Sequence, residues 1–164
     1  MSNPLSLLQI IRMYAARFLG EMSSRPLRIL VVDDEEPVRR YLDCVMREAG
    51  HETALASDGP EAIEVARTFQ PLDLLLTDVL MPQMSGDELA RRLRQMEPGL
   101  KVLYLTSFSD SLFKERVTLW EDEAYLDKPC SVKGLLQAVS LLTSGRLNAS
   151  PVDPKAKPKS APAV

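Results

Sequence analysis

From residue 26 to residue 145, short apolar runs alternate with stretches of helical periodicity. The runs 27–32 (LRILVV) and 72–77 (LDLLLT) are apolar almost throughout, the pattern of parallel strands covered on both faces. Further strands are predicted at 52–56, 101–105 and 124–126. The first helix of this region starts near Pro37, a residue suited to a first turn. Its positions Val38, Leu42, Val45, Met46 and Ala49 keep the 3,4 spacing of one helix face, and Gly50 ends it. Other helices are predicted at 60–69, 85–96, 109–120 and 131–142, separated by Asp58-Gly59-Pro60, Pro98-Gly99 and similar breaks. Five strands alternating with five helices predict an α/β fold, a parallel sheet with helices on both faces. In such sheets the working site lies beyond the carboxyl ends of the strands, so the residues that end strands are the candidates for chemistry.

Two flanking segments differ from this body. Residues 1–25 hold an amphipathic helix with Leu8, Ile11, Ala15, Phe18 and Met22 on one face and Leu7, Tyr14 and Leu19 beside it. A bare stripe of this size calls for a cover. The receiver of that stripe is the body itself, a second copy in a dimer, or a partner protein. A membrane surface fits less well, because only Arg12 and Arg17 are basic there. Met22 is an alternative start that would leave residues 1–21 unmade. Residues 146–164 (RLNASPVDPKAKPKSAPAV) hold prolines, lysines and small residues that cannot build a core, and read as a disordered tail.

Charge sharpens this division. The flanks carry +2 and +3, which leaves −8 on residues 26–145 of a chain whose net charge is −3. An acidic body argues against nucleic acid as the main partner. Cys44 and Cys130 match no metal-ligand spacing and read as reduced thiols. The apolar stretch 5–22 is interrupted by Arg12 and Arg17 and so spans no membrane. It also lacks the form of a signal peptide. A cytoplasmic protein with one domain is expected.

The strand ends are rich in ionisable groups. Asp33 and Asp34 follow the first strand, Asp78 the third, Thr106 the fourth and Lys128 the fifth. In a parallel sheet these side chains gather at one edge. Three uncompensated carboxylates repel one another. A divalent cation resolves this, and Mg²⁺ takes a few carboxylates plus water and phosphate oxygens. A carboxylate is also a nucleophile toward phosphorus. Phosphoryl transfer asks mainly for positioning and charge neutralisation, which Mg²⁺, the Lys128 ammonium and the Thr106 hydroxyl would supply.

The motifs ILVVDDEEPVRR at 29–40, LLLTDVLMPQMSG at 74–86, VLYLTS at 102–107 and YLDKP at 125–129 make the chain resemble response-regulator receiver domains of two-component signalling, over roughly residues 26–145. The spacing of 44 residues from Asp34 to Asp78 and 22 from Thr106 to Lys128 strengthens the resemblance. It implies a flavodoxin-like, doubly wound sheet of order 2-1-3-4-5. It implies Asp78 as phosphoacceptor, with Mg²⁺ held by Asp34, Asp78, the Leu80 backbone carbonyl and, through water, Asp33. Thr106 and Tyr125 become the moving switch pair. The partner becomes a histidine kinase or a histidine phosphotransfer protein, and the chain a signalling switch, not an enzyme. Lys128-Pro129 is where the family often has a cis peptide. Leu80 and Phe108 would border the path of water to an aspartyl-phosphate, and neither can orient that water.

Other readings of the same residues remain open. Asp33 and Asp34 also suit a helix cap, and Tyr125 suits the core as well as a switch. Gly86 and Pro82 read as turn formers, His51 as a surface residue, and Cys130 as packing. A phosphatase of the haloacid dehalogenase type also uses an aspartate nucleophile and Mg²⁺, but with a D-x-D motif after the first strand, where this chain has Asp33-Asp34-Glu35. A third reading is a docking module of the same fold that is never phosphorylated.

Overall fold

The computed structural model describes residues 6–18, 25–107 and 122–144, with side chains from 6–14 in the first of these segments. The elements in chain order are α1 (Leu7–Phe18), β1 (Arg28–Val32), α2 (Glu36–Glu48), β2 (Glu52–Ala56), α3 (Gly59–Thr68), β3 (Leu74–Asp78), α4 (Gly86–Met96), β4 (Lys101–Thr106), β5 (Glu123–Asp127) and α5 (Val132–Thr143). The helix expected at 109–120, Phe108, and the tail at 146–164 lie outside the described residues.

The five strands are all parallel, in the order β2-β1-β3-β4-β5. β3 is central, and all five of its residues are buried. Leu74 and Leu76 join the core on the α1, α2 and α5 side, whereas Leu75 joins the core on the α3 and α4 side. That is the alternation of a strand in a sheet covered on both faces. Each fully buried leucine contributes roughly 2 kcal/mol relative to an exposed position.

Local chemistry places the helix ends. Asp58 caps α3 by accepting from Glu61 N–H at 2.8 Å, and the Glu61 carboxylate reaches back to Ser57 N–H at 2.7 Å. Ser131 caps α5 by accepting from Gly134 N–H at 3.1 Å. Gly50, at φ +90°, reverses the chain after α2. This reversal corrects the reading of His51 as a surface residue. His51 N–H returns to the Met46 carbonyl at 3.0 Å, and the ring is tucked under the start of β1, where Nδ1 accepts from Leu27 N–H at 3.3 Å. The ring is buried, and burial holds its pKa below the ordinary value, against a smaller upward pull from Asp73.

α1 packs on α5 and α2. Ile11 is fully buried in the core, with Ile10 and Tyr14 packed against it, and Arg12 pairs with Glu48 at 3.2 Å. Of the expected face, Ile11 is buried but Leu8 is 44% exposed, as is Leu7 beside it; the side chains of Ala15 and Phe18, and Met22, lie outside the described residues. Apolar residues flank Ile11 on both sides, so periodicity alone could not choose the inward edge.

Candidate functional site

The carboxyl edge of the sheet assembles the expected residues. Asp33, one residue past β1, is fully buried. Its Oδ1 accepts from Glu35 N–H at 2.9 Å, and Arg39 donates to its backbone carbonyl at 2.6 Å. The capping role considered for this pair is not what the geometry shows. The cap position of α2 is Glu35, which makes no side-chain cap bond. Asp34 is exposed. Carboxylate oxygens of Asp33, Asp34 and Asp78 lie within 4.8 Å of one another, a set that could hold a metal ion.

Asp78 is the last residue of β3, aligned with Leu105 of β4. Its Oδ1 accepts from Leu80 N–H at 3.1 Å, and its Oδ2 takes Lys128 Nζ at 2.5 Å. Lys128 also stands 2.7 Å from Asp33 Oδ2 and 4.0 Å from the Glu35 carboxylate. The Lys128-Pro129 peptide is cis, as the resemblance implied.

The electrostatics follow from counting charges. Burial raises the Asp78 pKa, Lys128 opposes this through its hydrogen bond and charge, and Asp33 pushes it up again. Burial alone would lower the Lys128 pKa, but Asp33 and Asp78 outweigh it and the value stands above normal. Asp78 rises first because it is buried, and Lys128 rises because its two carboxylate partners outweigh burial; by charge count, the three clustered carboxylates stand against one ammonium. The cluster is therefore short of positive charge. All-oxygen donors with excess negative charge fit a hard divalent cation such as Mg²⁺.

Thr106 ends β4 and is fully buried. Its hydroxyl donates to Asp127 Oδ1 at 2.9 Å and not to Asp78, whose carboxylate is held by Leu80 and Lys128. Tyr125 lies inward: its ring is 5.1 Å from that of Tyr104, tilted by 31°. Burial, with Glu123 and Asp87 adding to it, pushes its pKa up to about 12. Beside this pair, Glu123 accepts from Tyr104 at 3.2 Å and from Arg94 at 2.5 Å.

Two residues of the site were not legible as such. Asp127 carries no motif signal beyond its place before Lys128. Gly86 read as a turn former, but it is the first residue of α4 and has an ordinary φ. Its N–H donates to the Val79 carbonyl at 2.9 Å, and a Cβ there would stand 2.2 Å from the Asp78 carbonyl oxygen. Pro82 does precede a turn, at Gln83 with φ 68°. Leu80 is 54% exposed at the mouth of the site.

A family model described as the response regulator receiver domain matches residues 29–140. The chain is 33% identical over 112 residues to the response regulator receiver protein CpdR of Brucella abortus, covering 68% of this chain and 92% of that one. It is 39% identical over 119 residues to the response regulator MprA of Mycolicibacterium vanbaalenii, covering 71% of this chain and about half (50%) of that relative. Among solved structures it is similar to the response regulator TrrA of Thermotoga maritima in complex with Mg²⁺ and BeF, with TM-score 0.61 and 33% identity over 71% of this chain and 98% of that one. Sheet order, the carboxylate cluster with its lysine, and these likenesses agree: the chain belongs to the response-regulator receiver domain family, the phosphorylation-dependent signalling modules of two-component systems.

Proposed function

We propose that Asp78 accepts a phosphoryl group from a histidine kinase or a histidine phosphotransfer protein, and that the chain signals through the resulting change of shape. The observation that carries this is the convergence of Asp33, Asp34, Asp78 and Lys128 on one edge of the sheet. An Asp78 carboxylate oxygen forms the new bond to phosphorus while the bond from phosphorus to the donor's histidine nitrogen breaks. The Leu80 N–H and the Lys128 ammonium fix the carboxylate in place for that attack. Lys128 also offsets charge on the transferred oxygens. Mg²⁺, held by Asp34, Asp78 and the Leu80 carbonyl with Asp33 through water, would neutralise the remaining charge. The relative TrrA was solved with Mg²⁺ and BeF, which supports this assignment.

Thr106 and Tyr125 are the switch pair in this reading. An apolar cavity of about 560 Å³ opens beside Lys128 between Pro37, Val38 and Tyr41 of α2 and Pro129-Cys130, a place for the flank of a histidine-bearing helix. The unit that carries the function is residues 26–145, with residues 1–25 as its N-terminal extension. Pairing of two copies through α1 would use the exposed Leu7, Leu8 and Met13, since Ile11 is committed to the body. No helix among the described residues is long and apolar enough to cross a membrane, and we place the chain in the cytoplasm as a switch without turnover of its own.

The test is labelling by acetyl phosphate with and without free Mg²⁺. Label should appear with Mg²⁺, vanish in EDTA, and weaken in Asp34→Asn. Full labelling in EDTA would contradict the metal's role, and turnover of small phosphoesters would favour the phosphatase reading.

A further inference from the structure

We propose that Asp127 is a positioning residue for the switch: it holds the Thr106 hydroxyl away from the phosphoacceptor and thereby sets how readily the phosphorylated state forms. This rests on Asp78 being the phosphoacceptor.

Thr106 and Asp127 are direct register partners on β4 and β5, with their side chains on one face of the sheet. A hydroxyl has a single proton to donate, and in this structure Asp127 Oδ1 holds that of Thr106 at 2.9 Å. The backbone closes the same clamp, because Lys128 N–H donates to the Thr106 carbonyl at 2.7 Å. The Thr106 side chain is fully buried, so water is not available to take over the proton. The acceptor is a carboxylate oxygen, a stronger acceptor than a neutral carbonyl or hydroxyl oxygen. Asp127 itself is exposed, so solvent weakens the bond relative to a fully buried one.

A phosphoryl group on Asp78 presents new anionic oxygens at the edge that Thr106 ends. For the Thr106 proton to reach one of them, the bond to Asp127 must break. The two acceptors compete for one proton, and the energy of the Thr106–Asp127 bond is subtracted from that of the phosphorylated state. A residue on the edge strand thus raises the threshold of the switch without touching the phosphoryl group.

The test is a double-mutant cycle on the full chain, with beryllofluoride plus Mg²⁺ as the mimic and binding followed by fluorine NMR. Asp127→Ala should bind about tenfold more tightly than wild type, the scale of one lost charge-assisted hydrogen bond. In a Thr106→Val background the same substitution should change affinity by less than about twofold, because no proton is left to release. Asp127→Asn keeps an acceptor oxygen and should stay within about threefold of wild type. It also serves as the reference should Asp127→Ala prove poorly folded. Equal tightening with and without the Thr106 hydroxyl would show that only the charge of Asp127 matters and would overturn the inference. Unchanged affinity in Asp127→Ala overturns it as well, while leaving Asp78 as acceptor. Failure of wild type to bind the mimic overturns both.

Discussion

Gly86→Ala adds one carbon where α4 approaches the phosphoacceptor strand most closely. The added Cβ would lie 2.2 Å from the Asp78 carbonyl oxygen and 3.1 Å from Thr77 Cγ2. Neither neighbour is a long side chain that could swing aside, and the first is backbone of a central strand. Relief requires the start of α4 to move by about 1 Å, and overpacking of this kind costs about 1–3 kcal/mol. The gain in helix propensity, at most about 1 kcal/mol in a helix interior, is smaller at this first helical position. The net expectation is a loss of about 1–3 kcal/mol in urea unfolding. Gly99→Ala is the control, since a Cβ there meets nothing within 4 Å and should be neutral within about 0.5 kcal/mol. The shift also moves the loop that carries Leu80 N–H, which holds Asp78 Oδ1, so labelling by acetyl phosphate should slow. If Gly86→Ala is as stable as Gly99→Ala and labels at the wild-type rate, the close approach of α4 to Asp78 is not what fixes the site.

Lys128→Met leaves Asp33 and Asp78 enclosed without their ammonium; we expect a loss of roughly 1–3 kcal/mol, discounted for partial exposure, that Mg²⁺ partly restores. Equal stability with and without Lys128 would refute the charge count. His51 is the chain's single histidine, and its folded pKa is depressed by burial. The stability it contributes as a neutral ring is therefore complete above the ordinary value of 6.5 and is lost as pH falls through the folded pKa, at up to about 1.4 kcal/mol per pH unit. His51→Gln should flatten that part of the pH profile, and NMR of the ring should report a value below 6.5. Leu80→Asn puts a group able to orient water at the exposed mouth of the site; the half-life of the phosphorylated protein should shorten about two- to tenfold, and an unchanged half-life would dismiss Leu80 as a barrier to water.

Much of the fold and of the site is legible in the sequence. β3 announces itself because a strand covered on both faces has no polar side to confuse its period, and α2 because Pro37 and Gly50 mark its two ends. The strand-end carboxylates and Lys128 were legible because parallel topology sends every carboxyl end to one edge. What escaped depends on three-dimensional proximity. His51 looks like a loop residue until the reversal at Gly50 tucks it against Leu27. Gly86 looks like a turn former because closeness to the Asp78 carbonyl leaves no trace in its neighbours' identities. The Thr106–Asp127 bond depends on the register of β4 on β5, which no periodicity specifies. In α1, apolar residues around most of the helix hid which edge turned inward.

The central claim is that Asp78 carries the phosphoryl group, and reductive trapping tests it most directly. Borohydride converts a phosphorylated aspartate to homoserine, whose position peptide mapping then identifies. After incubation with acetyl phosphate and Mg²⁺, homoserine should appear at position 78 and nowhere else, and Asp78→Asn should yield none. Homoserine at Asp33 or Asp34, or label that persists in Asp78→Asn, would contradict the account.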